Sequence, residues 1–309
     1  MPEHTQRHVP VTTLANGHQV TIPVHTITGS DGPRLGLVSG VHGDEPLAVE
    51  TVRRVLLELA DADLRGTVTA VTVANPYAHM ALTRNTPLDG ANLNRIFPGN
   101  AGGTVTEQVA AALVDLLVGS VDYLIDFHSG GIQACVDYAY IHEDGAELSK
   151  AYGADVLYRG PGYAGSFTSI TREAGIPSVV SEYGGASARI DHYLAKGVAG
   201  TSNVMRHLGM LPGDVSTTPG QRIVETLVNL PPRNGGILLS ELTPDDLGTE
   251  FPRGTVLGRV ISPYTLEELE TIEAPFERNI LILTRPSYTN VAPGDYGYMV
   301  ADATTATDA

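Results

Sequence analysis

The chain has 309 residues, of which 42% are hydrophobic and 17% are charged, with 34 glycines and 20 prolines. This composition excludes intrinsic disorder, a collagen-like repeat and a coiled coil. The 19 basic and 35 acidic residues give a formal net charge of −16, which repels nucleic acid and anionic lipid surfaces. We therefore predict a globular protein that binds neither nucleic acid nor a membrane.

The single cysteine and the N-terminal segment give expectations about disulfides and cellular location. Cys135 lies in an apolar run, so no intrachain disulfide can form, and we expect a buried side chain that fills space. The segment 1–10 lacks the apolar centre of a signal peptide, and no apolar stretch reaches the roughly 18 residues that span a bilayer. We expect a cytoplasmic protein. The oligomeric state stays open, with a homo-oligomer as one alternative.

Strands and helices alternate along the first two thirds of the chain. Apolar runs predict strands at 35–40, 66–74, 123–127, 135–141, 155–158 and 177–181. Apolar residues at helical spacing predict helices at 46–59, 108–118, 145–152, 166–174 and 189–208. Pro46 begins the first helix, and Thr104 with Glu107 has the spacing of a capping box before the second. This alternation favours a doubly wound α/β fold with a mainly parallel sheet.

The pattern changes after residue 210. Residues 211–220 are rich in Pro, Gly, Ser and Thr, as in a linker. Short β-like runs then follow between glycines and prolines, at 237–240, 255–261, 270–273, 279–284 and 297–301. We therefore predict an α/β domain over 1–210 and a small all-β domain over 211–309.

Two histidines and a carboxylate follow predicted strands. His42 and Glu45 stand three residues apart after the first strand. Of the ten histidines, only His42 and His128 end apolar strands beside glycines, so His128 is the best second imidazole. Two imidazoles and one carboxylate form a catalytic His₂Glu zinc site, and Asp126 shares the strand face from which it would orient His128. The alternative is a pair of hydrogen-bonded histidines without a metal.

Four ordered motifs within residues 35–185 carry a family resemblance. They are Gly-Val-His-Gly-Asp-Glu-Pro at 40–46, the loop 89–99 preceded by Asn75-Pro76 and Arg84, Asp-Phe-His-Ser at 126–129, and Pro-Ser-Val-Val-Ser-Glu at 177–182. Together they resemble the succinylglutamate desuccinylase and aspartoacylase family of zinc carboxypeptidase-like deacylases. The resemblance implies a zinc carboxypeptidase-like catalytic fold.

The same resemblance implies a metal site and a base. His42, Glu45 and His128 would bind one Zn²⁺ per chain. Glu182 would be the general base that takes a proton from water at the zinc. For Glu182, a surface acid at a strand end is the alternative.

Four further residues are implied to bind substrate. Arg84 corresponds to the arginine that polarises the scissile carbonyl, and Asn94 with Arg95 resembles the clamp for a substrate carboxylate. Arg172 lies ten residues before Glu182, where the aspartoacylase branch has a second substrate arginine. The alternatives are a solvated loop arginine, turn-stabilising asparagines and an exposed helix arginine.

Two departures from the aspartoacylase branch are visible. Tyr183-Gly184-Gly185 follows Glu182, where the aspartoacylase branch has a different loop. We therefore expect the pocket wall around the acyl group to differ from that branch. The tyrosine that the C-terminal domain supplies in that branch has four candidates, Tyr264, Tyr288, Tyr296 and Tyr298. The C-terminal part also resembles a lipoyl-like β-sandwich, yet no lysine follows Lys196, so it cannot carry lipoate or biotin.

The predicted function follows from these residues. We expect a zinc-dependent deacylase that hydrolyses the amide bond of a small anionic N-acyl amino acid, of the N-acetyl or N-succinyl type. The alternatives are a metallocarboxypeptidase that acts on short peptides and a non-catalytic binding module on the same fold.

Overall fold

The computed structural model describes residues 1–309. Its six helices are α1 (Pro46–Leu59), α2 (Pro76–Ala81), α3 (Val105–Leu117), α4 (Ala146–Tyr152), α5 (Phe167–Glu173) and α6 (Ile190–His207). The first eight strands are β1 (Glu3–Thr13), β2 (Gln19–Thr28), β3 (Ser30–Val38), β4 (Arg65–Val71), β5 (Tyr123–His128), β6 (Cys135–Tyr140), β7 (Val156–Tyr158) and β8 (Ser178–Gly184).

Ten further strands follow α6. They are β9 (Arg222–Val224), β10 (Leu227–Leu230), β11 (Gly236–Ser240), β12 (Glu250–Pro252), β13 (Val256–Ile261), β14 (Glu268–Glu273), β15 (Arg278–Thr284), β16 (Thr289–Val291), β17 (Tyr298–Asp302) and β18 (Thr307–Asp308). Short 3₁₀ turns lie at Leu93–Arg95, Glu143–Gly145, Pro244–Asp246 and Ala303–Thr305.

A mixed sheet of 14 strands forms the centre of the protein. Its main order is β1-β2-β4-β3-β5-β8-β6-β15-β17-β10. The four strands β4, β3, β5 and β8 run parallel to one another, and β2 and β6 flank them antiparallel. The α/β class with a mainly parallel central region, predicted from the sequence, is confirmed.

Helices cover both faces of this sheet. Helices α1, α4 and α6 pack on one face, against side chains such as Leu37 and Phe127. Helices α3 and α5 pack on the other, against Val38 and Leu124. Alternate residues of β3 and β5 are therefore buried on opposite faces, which explains why these strands are continuous apolar runs. The predicted capping box of Thr104 and Glu107 begins α3.

Two parts of the sheet were not predicted. The hairpin of β1 and β2 extends one edge, and β1 is largely exposed, so its polar sequence carries no apolar alternation. After residue 211 the chain is all β, as predicted, but six of its strands join the large sheet: β9, β10, β12, β15, β17 and β18. The other four form a separate antiparallel sheet, β14-β13-β11-β16. The two parts of the chain therefore share the large sheet.

The structure also bears on the expectations for Cys135 and for membrane-spanning helices. Cys135 is fully buried beside β15, and burial raises the pKa of its thiol to about 11, which fits an unreactive side chain. None of the helices is long and apolar enough to cross a bilayer.

Candidate active site

The candidate site lies where the strand order reverses direction. The chain passes from β3 to β4 on one side and later adds β5 on the other side of β3. Open α/β sheets leave a crevice at the carboxyl ends of such strands. His42 follows β3, His128 ends β5, and Glu182 lies opposite His128 near the end of β8. The topology therefore brings the three motifs together.

A glycine allows the loop after β3 to pass close to α2. A Cβ on Gly43 would lie 1.8 Å from the carbonyl carbon of Ala78. The Gly43 N–H donates to the carbonyl oxygen of Thr83 at 2.9 Å, which ties this loop to the segment that carries Arg84. Glu45 then precedes α1, which begins at Pro46. The loop thus orients both His42 and Glu45 towards the sheet edge.

Three side chains converge on one point. His42 Nδ1 lies 2.8 Å from Glu45 Oε1, and His128 Nδ1 lies 3.0 Å from Glu45 Oε2. One ligand atom from each residue lies within 4.8 Å of the others, and all three residues are buried. Both imidazoles present Nδ1 to the same carboxylate, so the donor set is that of a His₂Glu zinc site.

The outer ring nitrogens face polar side chains. Asn92 Oδ1 lies 3.2 Å from His42 Nε2, and Asp126 Oδ2 lies 3.3 Å from His128 Nε2. The Asp126 carboxylate is completely buried, and apart from this contact with His128 neither of its oxygens has a hydrogen-bond partner. A buried carboxylate is stabilised by a hydrogen-bond donor, and the His128 imidazole is the neighbouring group with that capacity. Asp126 thus has the position predicted for it, whereas the contact of Asn92 with His42 was not predicted.

Burial and mutual charge shift the pKa values of all three residues of the cluster. Burial opposes ionisation of Glu45, but the two imidazoles outweigh it and hold the pKa of Glu45 below its usual range. Burial lowers the pKa of His42. Burial acts in the same direction on His128, yet Asp126 and Glu45 outweigh it and raise the pKa of His128 well above its usual value. The cluster therefore retains a proton that a metal ion would displace.

Glu182 lines the same cleft as His42 and Glu45. It is opposite His128 in the register of β5 and β8, so the two side chains share one face of the sheet. Burial raises the pKa of Glu182 to about 7. A carboxyl with a pKa near neutrality can accept and return a proton under ordinary conditions.

Three of the four predicted substrate residues line the same cleft. Arg84 Nη1 lies 3.5 Å from Glu45 Oε1, at the cluster of His42, Glu45 and His128. Asn94 accepts a hydrogen bond from the Phe167 N–H at 2.9 Å, which fixes its amide, and its Nδ2 lies 3.3 Å from His128 Nε2. Arg95 donates to the Asn94 carbonyl oxygen at 2.7 Å.

Arg172 is the predicted residue that the structure does not bring to the cleft. It lies on α5, and its Nε is 3.6 Å from Asp144 Oδ1. Arg172 is absent from the lining of the cleft. Its spacing from Glu182 in the sequence therefore does not bring it to the other predicted site residues.

The cleft has a volume of about 540 Å³ and includes residues that the sequence analysis missed. The guanidinium of Arg95 lies 4.0 Å from the centre of the Tyr163 ring. Burial and the neighbouring Tyr296 raise the pKa of Tyr163 to about 12. Arg285, Asp295 and Tyr296 come from the C-terminal part of the chain. No local motif marks these residues, because only the pairing of β15 with β6 brings that part to the cleft.

Of the four candidate tyrosines, Tyr296 is the one that lines the cleft. Tyr298 is buried and donates to Ser240 Oγ at 2.8 Å. Tyr264 and Tyr288 are 93% and 82% exposed, away from the cleft.

Comparison with known proteins gives one sequence relative and several structural ones. N-alpha-acetyl-L-2,4-diaminobutyric acid deacetylase from Halomonas elongata is 29% identical over 299 residues, which cover 92% of this chain and 86% of that protein. A crystal structure of a succinylglutamate desuccinylase from Silicibacter sp. TM1040 has 26% identity and a TM-score of 0.83, covering 97% of this chain and 94% of that one.

A further structural relative is the product-bound ectoine utilization protein EutE (DoeB) from Ruegeria pomeroyi. It has 25% identity and a TM-score of 0.84, and covers 98% of this chain and 95% of that one. The model of the succinylglutamate desuccinylase/aspartoacylase catalytic domain matches residues 31–208, which contain all the predicted site residues. Since this match covers more than half of the chain, the protein belongs to the succinylglutamate desuccinylase/aspartoacylase family.

Proposed function

We propose that this protein is a zinc-dependent deacylase that hydrolyses the amide bond of a small N-acyl amino acid. The observation that carries the proposal is a single cleft that contains His42, Glu45 and Glu182 together with Arg84 and Arg95, with His128 beside them. Membership of a family of deacylases supports the same reaction class. The Halomonas relative is named as a deacetylase, so N-acetyl amino acids are the first substrates to test.

His42, Glu45 and His128 would hold one Zn²⁺ per chain. Zinc, when bound there, lowers the pKa of water and polarises a carbonyl group. Asn92 and Asp126 would orient the imidazoles through their outer nitrogens, at the 3.2 Å and 3.3 Å distances described above.

The side chains around this cluster account for the proton transfers and for substrate orientation. Glu182 Oε would accept the proton of the attacking water and deliver it to the departing amine, which a pKa of about 7 permits. Arg84 would donate to the carbonyl oxygen as negative charge develops on it. Arg95 would bind the α-carboxylate by charge-assisted hydrogen bonds, with its guanidinium stacked on Tyr163.

Neither alternative function has a specific observation in its favour. A metallocarboxypeptidase requires an open groove, whereas Arg285, Asp295 and Tyr296 form one wall of this cleft. A binding module without catalysis would not need Glu182 beside a complete ligand set.

A substrate comparison tests the proposal. Metal analysis should give about one zinc per chain. The zinc-loaded protein should hydrolyse N-acetyl or N-succinyl amino acids faster than short peptides. Replacing the substrate carboxylate by a carboxamide should lower kcat/KM at least about tenfold, because the hydrogen bonds to Arg95 lose their anionic partner. Equal rates for both compounds would contradict the carboxylate clamp.

A further inference from the structure

The wall of the cleft formed by the C-terminal part contains a carboxylate with one unused oxygen. Asp295 lies between β16 and β17, and its side chain is 38% exposed at the cleft. Its Oδ2 accepts from the Ala292 N–H at 3.1 Å and lies 3.3 Å from Arg285 Nη1. All hydrogen bonds that Asp295 accepts therefore fall on Oδ2, and Oδ1 is free to accept another donor.

Arg285 contacts this carboxylate and is itself held by Gln133. The Arg285 side chain is 6% exposed, and its guanidinium bonds both Asp295 and the side-chain oxygen of Gln133. These contacts restrict the rotamer of Asp295. Asp295 therefore presents a carboxylate in a fixed position on the wall of the cleft.

The position of Asp295 relative to Arg95 decides which part of a substrate it meets. Arg95 stacks on Tyr163, Tyr163 neighbours Tyr296, and Tyr296 follows Asp295 in the chain. A substrate whose α-carboxylate contacts Arg95 would therefore direct the side chain of its amino acid along the tyrosines towards Asp295.

We infer that Asp295 is a specificity-determining residue that accepts a hydrogen bond from an ammonium group on the side chain of the substrate's amino acid. The substrate class is then an N-acyl diamino acid, and the inference rests on the function proposed above. The opposite possibility is an anionic side chain bound by Arg285, whose Nε is buried without a partner. Asp295 is the more exposed of the two side chains, at 38% against 6% for Arg285, so a ligand in the cleft meets the carboxylate more readily than the guanidinium.

Binding of three free amino acids tests the inference without requiring turnover. Calorimetry with the zinc-loaded protein should show 2,4-diaminobutyrate binding about tenfold or more tighter than 2-aminobutyrate, which lacks only the amine. Aspartate should bind more weakly than 2,4-diaminobutyrate. In Asp295→Asn the advantage of 2,4-diaminobutyrate over 2-aminobutyrate should disappear. The control Asp214→Asn, on the exposed linker, should retain it.

Several outcomes would overturn the inference. They are equal affinity of the wild type for 2,4-diaminobutyrate and 2-aminobutyrate, no measurable binding of 2,4-diaminobutyrate, tighter binding of aspartate, and a preference that survives in Asp295→Asn. Hydrolysis assays on the same preparations test the deacylase separately. An inactive protein that still selects the diamino acid would refute the proposed reaction and leave the subsite supported.

Discussion

At the scale of single residues, Glu182 has the most demanding proposed role. Glu182→Gln retains the size of the side chain but cannot accept a proton. We expect kcat to fall by roughly 10²–10⁴, the usual contribution of general acid–base catalysis. Zinc content should be unchanged, because Glu182 is not one of the three ligands. Steady-state kinetics and metal analysis check both expectations, with Glu58→Gln on the exposed side of α1 as the control. A variant with wild-type kcat would exclude Glu182 as the base.

The same carboxyl predicts the pH dependence of the reaction. The base works only when it is deprotonated, so kcat/KM should fall as the pH drops through the pKa of Glu182. Burial places this pKa at about 7, and a divalent cation in the adjacent ligand cluster would lower it by favouring the carboxylate. We therefore expect an acid limb with a midpoint at or below about pH 7. A profile of kcat/KM between pH 5 and 9 measures it, and a flat profile on the acid side would contradict the assignment.

At the scale of elements, the loop that carries His42 and Glu45 can pass close to α2 only because residue 43 is a glycine. In Gly43→Ala the new Cβ would overlap the backbone of Ala78, so either the loop or α2 must move. We expect reduced zinc occupancy and activity, because the displaced loop carries His42 and Glu45. The control is Gly102→Ala, where a Cβ has ordinary contact with Asn100 at 3.6 Å. Metal analysis and circular dichroism separate loss of the site from loss of the fold, and full occupancy in Gly43→Ala would refute the steric argument.

At the scale of the whole molecule, the only two lysines of the chain provide a matched pair for stability. Lys196 on α6 lies 2.7 Å from both carboxylate oxygens of Asp137 on β6 and 2.7 Å from Asp155 Oδ2. The side chains of Lys196 and Asp137 are only 17% and 14% exposed. Lys196→Met would leave Asp137 buried without its partner, and we expect a loss of about 3–5 kcal/mol in the free energy of unfolding.

Lys150 is the control for this substitution. Its Nζ lies 3.5 Å from Glu147, whose side chain is 72% exposed, so Lys150→Met should change the free energy of unfolding by less than about 1 kcal/mol. Equilibrium denaturation with urea measures both variants. Equal effects would show that the buried cluster contributes no more than a surface pair.

Much of the fold and the proposed metal site was predictable because its signals are local. The strands beneath the site are buried on both faces, so they are continuous apolar runs bounded by glycine. His42 and Glu45 lie three residues apart in one loop, His128 ends β5, and Glu182 lies near the end of the neighbouring strand β8. Each of these features lies within a few residues of a strand end, and parallel strands bring their ends to one edge of the sheet.

Only the tertiary structure decided which distant residues share the cleft. Arg285 and Gln133 are 152 residues apart in the chain, and they meet because β15 pairs with β6. The spacing of Arg172 from Glu182 resembled a family pattern, yet α5 places Arg172 beside Asp144. The sequence by itself indicated the apolar strands of the parallel region and the proposed metal ligands that follow them, because periodic burial and short motifs mark both. The wall of the cleft formed by the C-terminal part depends on the pairing of strands that lie far apart in the sequence, which no local pattern encodes.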